Sequence, residues 1–117
     1  MTTTQDTLSL VRAYHRSWTS RDFDAAAALL APDLRVEVPV NDYPDGASFA
    51  DAVRGFGSMV SRTELVSELA GGDEAMLLYD MEVRGLGSMR IAEHFTVSGG
   101  KITRLRQIHD TAALRTA

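Results

Sequence analysis

Apolar residues recur at helical spacing in three places in the first half of the chain and alternate with polar ones through the second half. Leu10, Val11, Tyr14 and Trp18 share one helical face, and Thr3 with Asp6 three residues on has the spacing of a capping box, so a helix is predicted over about residues 5–19. Ser20 stands where it can cap a second helix with the stripe Phe23, Ala26, Ala27 and Leu30. Ala31-Pro32-Asp33 ends that stripe, because proline disfavours helical backbone in the residue before it. A strand is predicted over residues 34–39, where apolar and polar residues alternate, followed by a turn-forming run from Asn41 to Gly46. Ser48 and Asp51 repeat the capping spacing ahead of a third stripe of Phe49, Ala52, Val53, Phe56, Met59 and Val60.

Beyond Arg62 the pattern changes period. Turn signals at Gly71-Gly72-Asp73, Gly85-Leu86-Gly87 and Ser98-Gly99-Gly100 divide the chain into four strand-length runs, at residues 63–69, 75–84, 88–97 and 102–109. Helix, helix, strand, helix and a four-strand meander predict an α+β fold, with a helical layer over one face of a mostly antiparallel sheet. In the fourth strand Ile91, Glu93, Phe95 and Val97 share one face, so a glutamate lies among apolar neighbours. In the third, Tyr79, Met81 and Val83 alternate with Asp80 and Glu82, whose charges belong on a wet face. In the last, parity alone leaves open whether Ile102, Arg104, Arg106 and Ile108 or Thr103, Leu105, Gln107 and His109 face inward.

Composition narrows the function classes. At 117 residues one core is the default, so a single domain over residues 1–117 is expected. The net charge of -4 and the scatter of the 12 basic residues argue against a nucleic-acid partner. No run approaches the roughly 20 apolar residues of a membrane span, and the first residues lack the basic and apolar regions of a signal peptide, so no membrane association and a cytoplasmic location are expected. Without cysteine there is no thiolate ligand, and His15, His94 and His109 are dispersed, so no metal is suggested. No glycine-rich phosphate loop joins a strand to a helix, so no cofactor is suggested either.

The element order, the aromatic near the end of the first helix, Ser20-Arg21-Asp22-Phe23, and the run from Arg90 through Gly99-Gly100-Lys101-Ile102 resemble the SnoaL-like branch of the nuclear transport factor two-like superfamily. The resemblance spans about residues 5 to 111. It implies a cone-shaped curved sheet, the cystatin-like α+β barrel, covered by three helices from the N-terminal half, with a small apolar organic molecule in the cone and a homodimer through the sheet face. Leu77, Tyr79, Met81 and Val83, on one face by alternation, permit such a dimer.

Ketosteroid isomerase, in the same superfamily, uses a first-helix tyrosine and a protonated aspartic acid as oxyanion donors, with a second aspartate as base. Tyr14 matches that tyrosine, and Glu93 matches the place of the protonated acid. The base would fall at Val38, so the isomerase mechanism is not carried over whole. The last-strand hairpin, matched to the isomerase, turns Gln107 and His109 inward. His109 is then a candidate acid or base beside Glu93, and Asp110 a further candidate, since SnoaL-like cyclases use a pocket aspartate. Trp18, Val38, Tyr43, Phe56, Phe95 and Gln107 are expected to contact substrate, with Asp42 near the mouth.

Three functions stay open at this point. The first is a cofactor-independent acid–base isomerase or cyclase acting on a small apolar carbonyl compound, with Glu93 moving the proton, Tyr14 holding an oxyanion and His109 assisting. The second is a non-catalytic, dimeric ligand-binding or accessory domain, which Val38 favours. The third is an epoxide hydrolase of the limonene type, for which Asp80, Arg84 and Asp110 have the right chemistry. A plainer role is open for Glu93 as well: an ion pair with an arginine of a neighbouring strand, such as Arg104 or Arg106, or a position on the outer sheet face. Tyr14 has an equally plain alternative as a core tyrosine with one hydrogen bond.

Overall fold

The computed structural model describes residues 2–112. Helix α1 (Thr4–Thr19) opens on the capping box: Asp6 N–H donates to Thr3 Oγ1 at 3.0 Å and Thr3 N–H to the Asp6 carboxylate at 3.2 Å. Ser20 does not cap the second helix; it closes the first, its N–H donating to Arg16 O. Arg21 turns the chain at φ 68°, and Asp22 caps α2 (Phe23–Ala28), accepting from Ala25 N–H at 3.2 Å. Aspartate and serine cap about equally well, so the tight turn at Arg21 decides which of them meets the first helical amides.

Leu30 leaves the stripe expected for α2 and starts β1 (Leu30–Glu37), four residues earlier than the alternation suggests. Ile102 N–H donates to Leu29 O at 2.8 Å, and Leu30 pairs with Ile102. Long-range pairing thus outweighs local helical spacing. Pro32 is tolerated because β1 is an edge strand with a register shift between Leu30 and Arg35, where no ladder amide is needed.

Helix α3 (Gly46–Gly57) also starts earlier than expected, with Asp45 as cap and Ser48 as its partner: Ser48 N–H donates to Asp45 Oδ1 at 2.8 Å. Gly46 is buried where helix meets strand, and a Cβ there would lie 2.3 Å from Ala31 O of β1. Gly46→Ala should therefore destabilise the fold by about 1–3 kcal/mol, seen as a lower urea midpoint at unchanged slope. Gly55→Ala is the matched control. Nothing lies within 4 Å of its added carbon, so it should be neutral or slightly stabilising.

The remaining strands are β2 (Val60–Gly71), β3 (Glu74–Val83), β4 (Gly87–Ser98) and β5 (Lys101–Ile108), in sheet order β1-β5-β4-β3-β2. All neighbours are antiparallel except β1 and β5. Gly99 and Gly100, at φ 58° and 77°, form the two-residue hairpin that returns the chain from β4 to β5. The inner face of the sheet carries Tyr79 and Met81 of β3, Ile91, Glu93, Phe95 and Val97 of β4, and Leu105 of β5. A register shift at Thr96/Val97 brings Ile102 into the same core, which is why simple parity failed to divide the last strand.

The surface expected to permit dimer contact is corrected by burial. Leu77, Tyr79, Met81 and Val83 are all at most 6% exposed and belong to the main core cluster, so they offer a second copy nothing. The opposite face of β3 carries Asp80, held by Arg90 through two bonds of 2.6 and 2.8 Å, and exposed Glu82. Among the described residues no helix is long and apolar enough to cross a membrane.

Candidate functional site

The curved sheet and the helices over it enclose a cavity of about 350 Å³. Helical spacing places Tyr14 and Trp18 of α1 on its wall, and α3 adds Phe49, Val53 and Phe56. Strand alternation contributes Tyr79 and Met81 from β3, Met89, Ile91 and Glu93 from β4, and Gln107 from β5. The segment after β1 supplies Val38, Val40, Asn41 and Tyr43 at the mouth, with His109 across from them. Asn41 holds φ 74°, a conformation asparagine tolerates, and Tyr43 packs edge-on against Phe49 at 5.4 Å.

Glu93 is the chemical centre of this wall. It is 1% exposed, and its carboxylate accepts from the Tyr79 hydroxyl at 3.2 Å and from Gln107 Nε2 at 2.6 Å. Register explains both bonds: Gln107 is its direct cross-strand partner, and Tyr79 lies diagonally opposite on β3. Burial pushes the Glu93 carboxyl up to about 7, while the two hydrogen bonds pull the other way. Among the described residues no arginine reaches it, and Arg104 donates to Glu37 at 3.3 Å. The outer-face alternative for Glu93 is thereby excluded.

Burial, reinforced by the charge of Glu93, holds the Tyr14 and Tyr79 hydroxyls well above their usual 10, so both stay protonated and able to donate. Tyr14 sits edge-on to Phe95 with ring centres 5.9 Å apart. Tyr14 is 1% exposed and lines the cavity. His15 is buried beside the Trp18 and Tyr79 rings, at 5.5 and 4.8 Å, and desolvation lowers it to about 4, leaving it neutral.

Of the residues expected at the site, Tyr14, Trp18, Val38, Tyr43, Phe56, Glu93, Gln107 and His109 all line the cavity. Two do not. Phe95 is fully buried behind Tyr14 and supports the wall rather than forming it. Asp110 is exposed, its carboxylate accepting the Ala112 N–H at 2.9 Å. It lies two residues beyond the end of β5 at Ile108 and is not among the lining residues. Asp42 is exposed and also lies outside the lining. Asp80 is on the outer sheet face, and Arg84 donates to Ser58 O at 2.9 Å, so the three hydrolase candidates do not converge. Tyr79 is the residue sequence reasoning missed. It passed as one more apolar position of β3, although its parity and the hairpin at residues 85–87 place it diagonal to Glu93.

A curved sheet covered by helices, with a cavity between them, is the nuclear transport factor two-like fold. The SnoaL-like domain model matches residues 11–105, and the chain belongs to that family. A crystallised protein of Kribbella flavida is 31% identical, with 94% of this chain and 91% of that one covered at a TM-score of 0.88. Another K. flavida protein, named as a candidate ketosteroid isomerase, is 23% identical over 96% of this chain and 83% of its own, TM-score 0.83. An M. tuberculosis LEH-like epoxide hydrolase is 21% identical over 97% and 89%, TM-score 0.78. The last two likenesses establish fold only, and their names show that the fold hosts different chemistries. No sequence among the curated proteins matches this chain.

Proposed function

We propose that the cavity is the active site of a cofactor-independent acid–base isomerase or cyclase for a small, mostly apolar carbonyl compound. The observation that carries this reading is Glu93: a buried carboxyl raised to about 7, held by Tyr79 and Gln107 and facing an apolar cavity. A general base is most effective when its pKa lies near the working pH.

Each carboxylate oxygen has two acceptor sites, so the bonds from Tyr79 and Gln107 leave capacity for a substrate proton. Glu93 takes a proton from the carbon beside the carbonyl. The charge moves to the substrate oxygen, and Tyr14 donates to that enolate. Return of the proton from Glu93 to another carbon gives the isomer; attack of the enolate carbon on a second carbonyl of the same molecule closes the ring and breaks that C=O π bond to an alkoxide, which takes the proton back from Glu93. With Val38 in place of a second acid, Glu93 is the one carboxylate among the described lining residues, and it serves both proton transfers.

The test is solvent deuterium exchange into a panel of cyclic ketones and enones, followed by NMR. The rate should rise as pH passes through about 7, where Glu93 ionises, and then level off. Tyr14→Phe should slow it by about 10²–10³-fold, the usual loss for one oxyanion donor. A panel on which the parent protein never exceeds the buffer rate sinks the enzyme reading and leaves a binding domain.

A further inference from the structure

Among the described residues lining the cavity, none carries a positive charge to meet the ionised form of Glu93. The groups facing it are Tyr14 from α1, Tyr79 from β3, Gln107 from β5 and, toward the mouth, His109. From α3 and the segment after β1 come Phe49, Val53, Phe56 and Val38, none of them charged. Among the described lining residues there is no lysine or arginine, and His15 behind Tyr79 is neutral. Tyr79 and Gln107 both donate to the carboxyl, which suits the anion. The site is therefore arranged to receive a negative charge that nothing in the wall neutralises.

The rest of the wall is aromatic: Tyr14, Trp18, Tyr43, Phe49, Phe56 and Tyr79. Aromatic rings attract cations that are weakly hydrated, and the attraction grows when water is excluded. Calcium and magnesium take six or more oxygen ligands, which this lining does not offer, and among the described residues no three His, Asp or Glu side chains group to hold a metal ion. We propose that the cavity binds small organic ammonium ions, the cationic nitrogen toward the Glu93 carboxylate and the carbon substituents among the aromatic side chains. This goes beyond the proposed reaction and holds whether or not the cavity turns a substrate over.

The probe is benzyltrimethylammonium, whose charge does not titrate, compared with neopentylbenzene, its uncharged carbon isostere. Binding is measured by Trp18 fluorescence and calorimetry at about pH 5.5 and about pH 8.5, on either side of the Glu93 transition. The cation should bind about tenfold or more tightly at the higher pH, while the isostere changes less than about twofold. Glu93→Gln should abolish the pH dependence and the preference for the cation yet still bind neopentylbenzene, which shows that the cavity is intact. His109→Asn should keep the dependence. Equal binding of the two probes at the higher pH overturns the proposal, as does a dependence that survives Glu93→Gln and disappears with His109→Asn. Cation binding without deuterium exchange into any ketone would sink the enzyme reading and leave this one standing.

Discussion

Glu93→Gln is expected to lower proton exchange at the substrate carbon by about 10²–10⁴-fold, the range for losing a positioned general base. It should also change how stability depends on pH. The folded-state carboxyl titrates at about 7 against a reference value of 4.5, so the native protein holds a proton that the unfolded chain gives up between those values. Stability must then fall as pH rises from about 4.5 to about 7 and stay low above it, by about 3 kcal/mol in all. Below 4.5 both states are protonated and the cost vanishes. Glutamine has no proton to lose, so this part of the pH dependence disappears, and the variant is expected to be relatively more stable than its parent at alkaline than at acid pH. Urea unfolding at about pH 5 and about pH 8.5 reads the effect. A parent whose stability does not decline over that interval refutes the raised carboxyl.

The second large effect is structural. Phe95 is fully buried and supports Tyr14 from behind, so Phe95→Ala should cost about 3–5 kcal/mol. The void would open beneath Tyr14 and let its ring shift. The variant should therefore lose affinity for phenols at the oxyanion position even at temperatures where it remains folded. Phe95→Leu, which keeps most of the volume, should restore both stability and binding in large part. Full binding in a destabilised Phe95→Ala protein would show that Tyr14 is held by something other than Phe95.

How much of this was legible depended on the range of the forces involved. The amphipathic stripe of Val11, Tyr14 and Trp18, the β4 alternation around Glu93 and the glycine pair at residues 99–100 are local signals, and each appears in the structure as its pattern implies. Leu30 was misread because its local spacing is helical while its decisive partner, Ile102, lies across the sheet. Ser20 and Ser48 were misread as caps because an aspartate two or three residues away had equal chemistry and better geometry. Leu77 to Val83 were assigned correctly to one face, but periodicity does not say which face the helices cover. Tyr79 shows the same limit. Its contact with Glu93 requires the β3–β4 register, which no single strand carries.

β5 comes last among the described elements yet lies in the interior of the sheet, between β4 and β1, and its pairing with β1 joins residues far apart in sequence. Until β5 docks, β4 has an unpaired edge and Glu93 lacks Gln107. During synthesis the β2–β3–β4 meander can emerge and pair first, exposing an apolar inner face that waits for the closing strand. The slow step of folding is therefore expected to be the insertion of β5, and the interval before it is when the nascent chain is most open to aggregation and most in need of a chaperone.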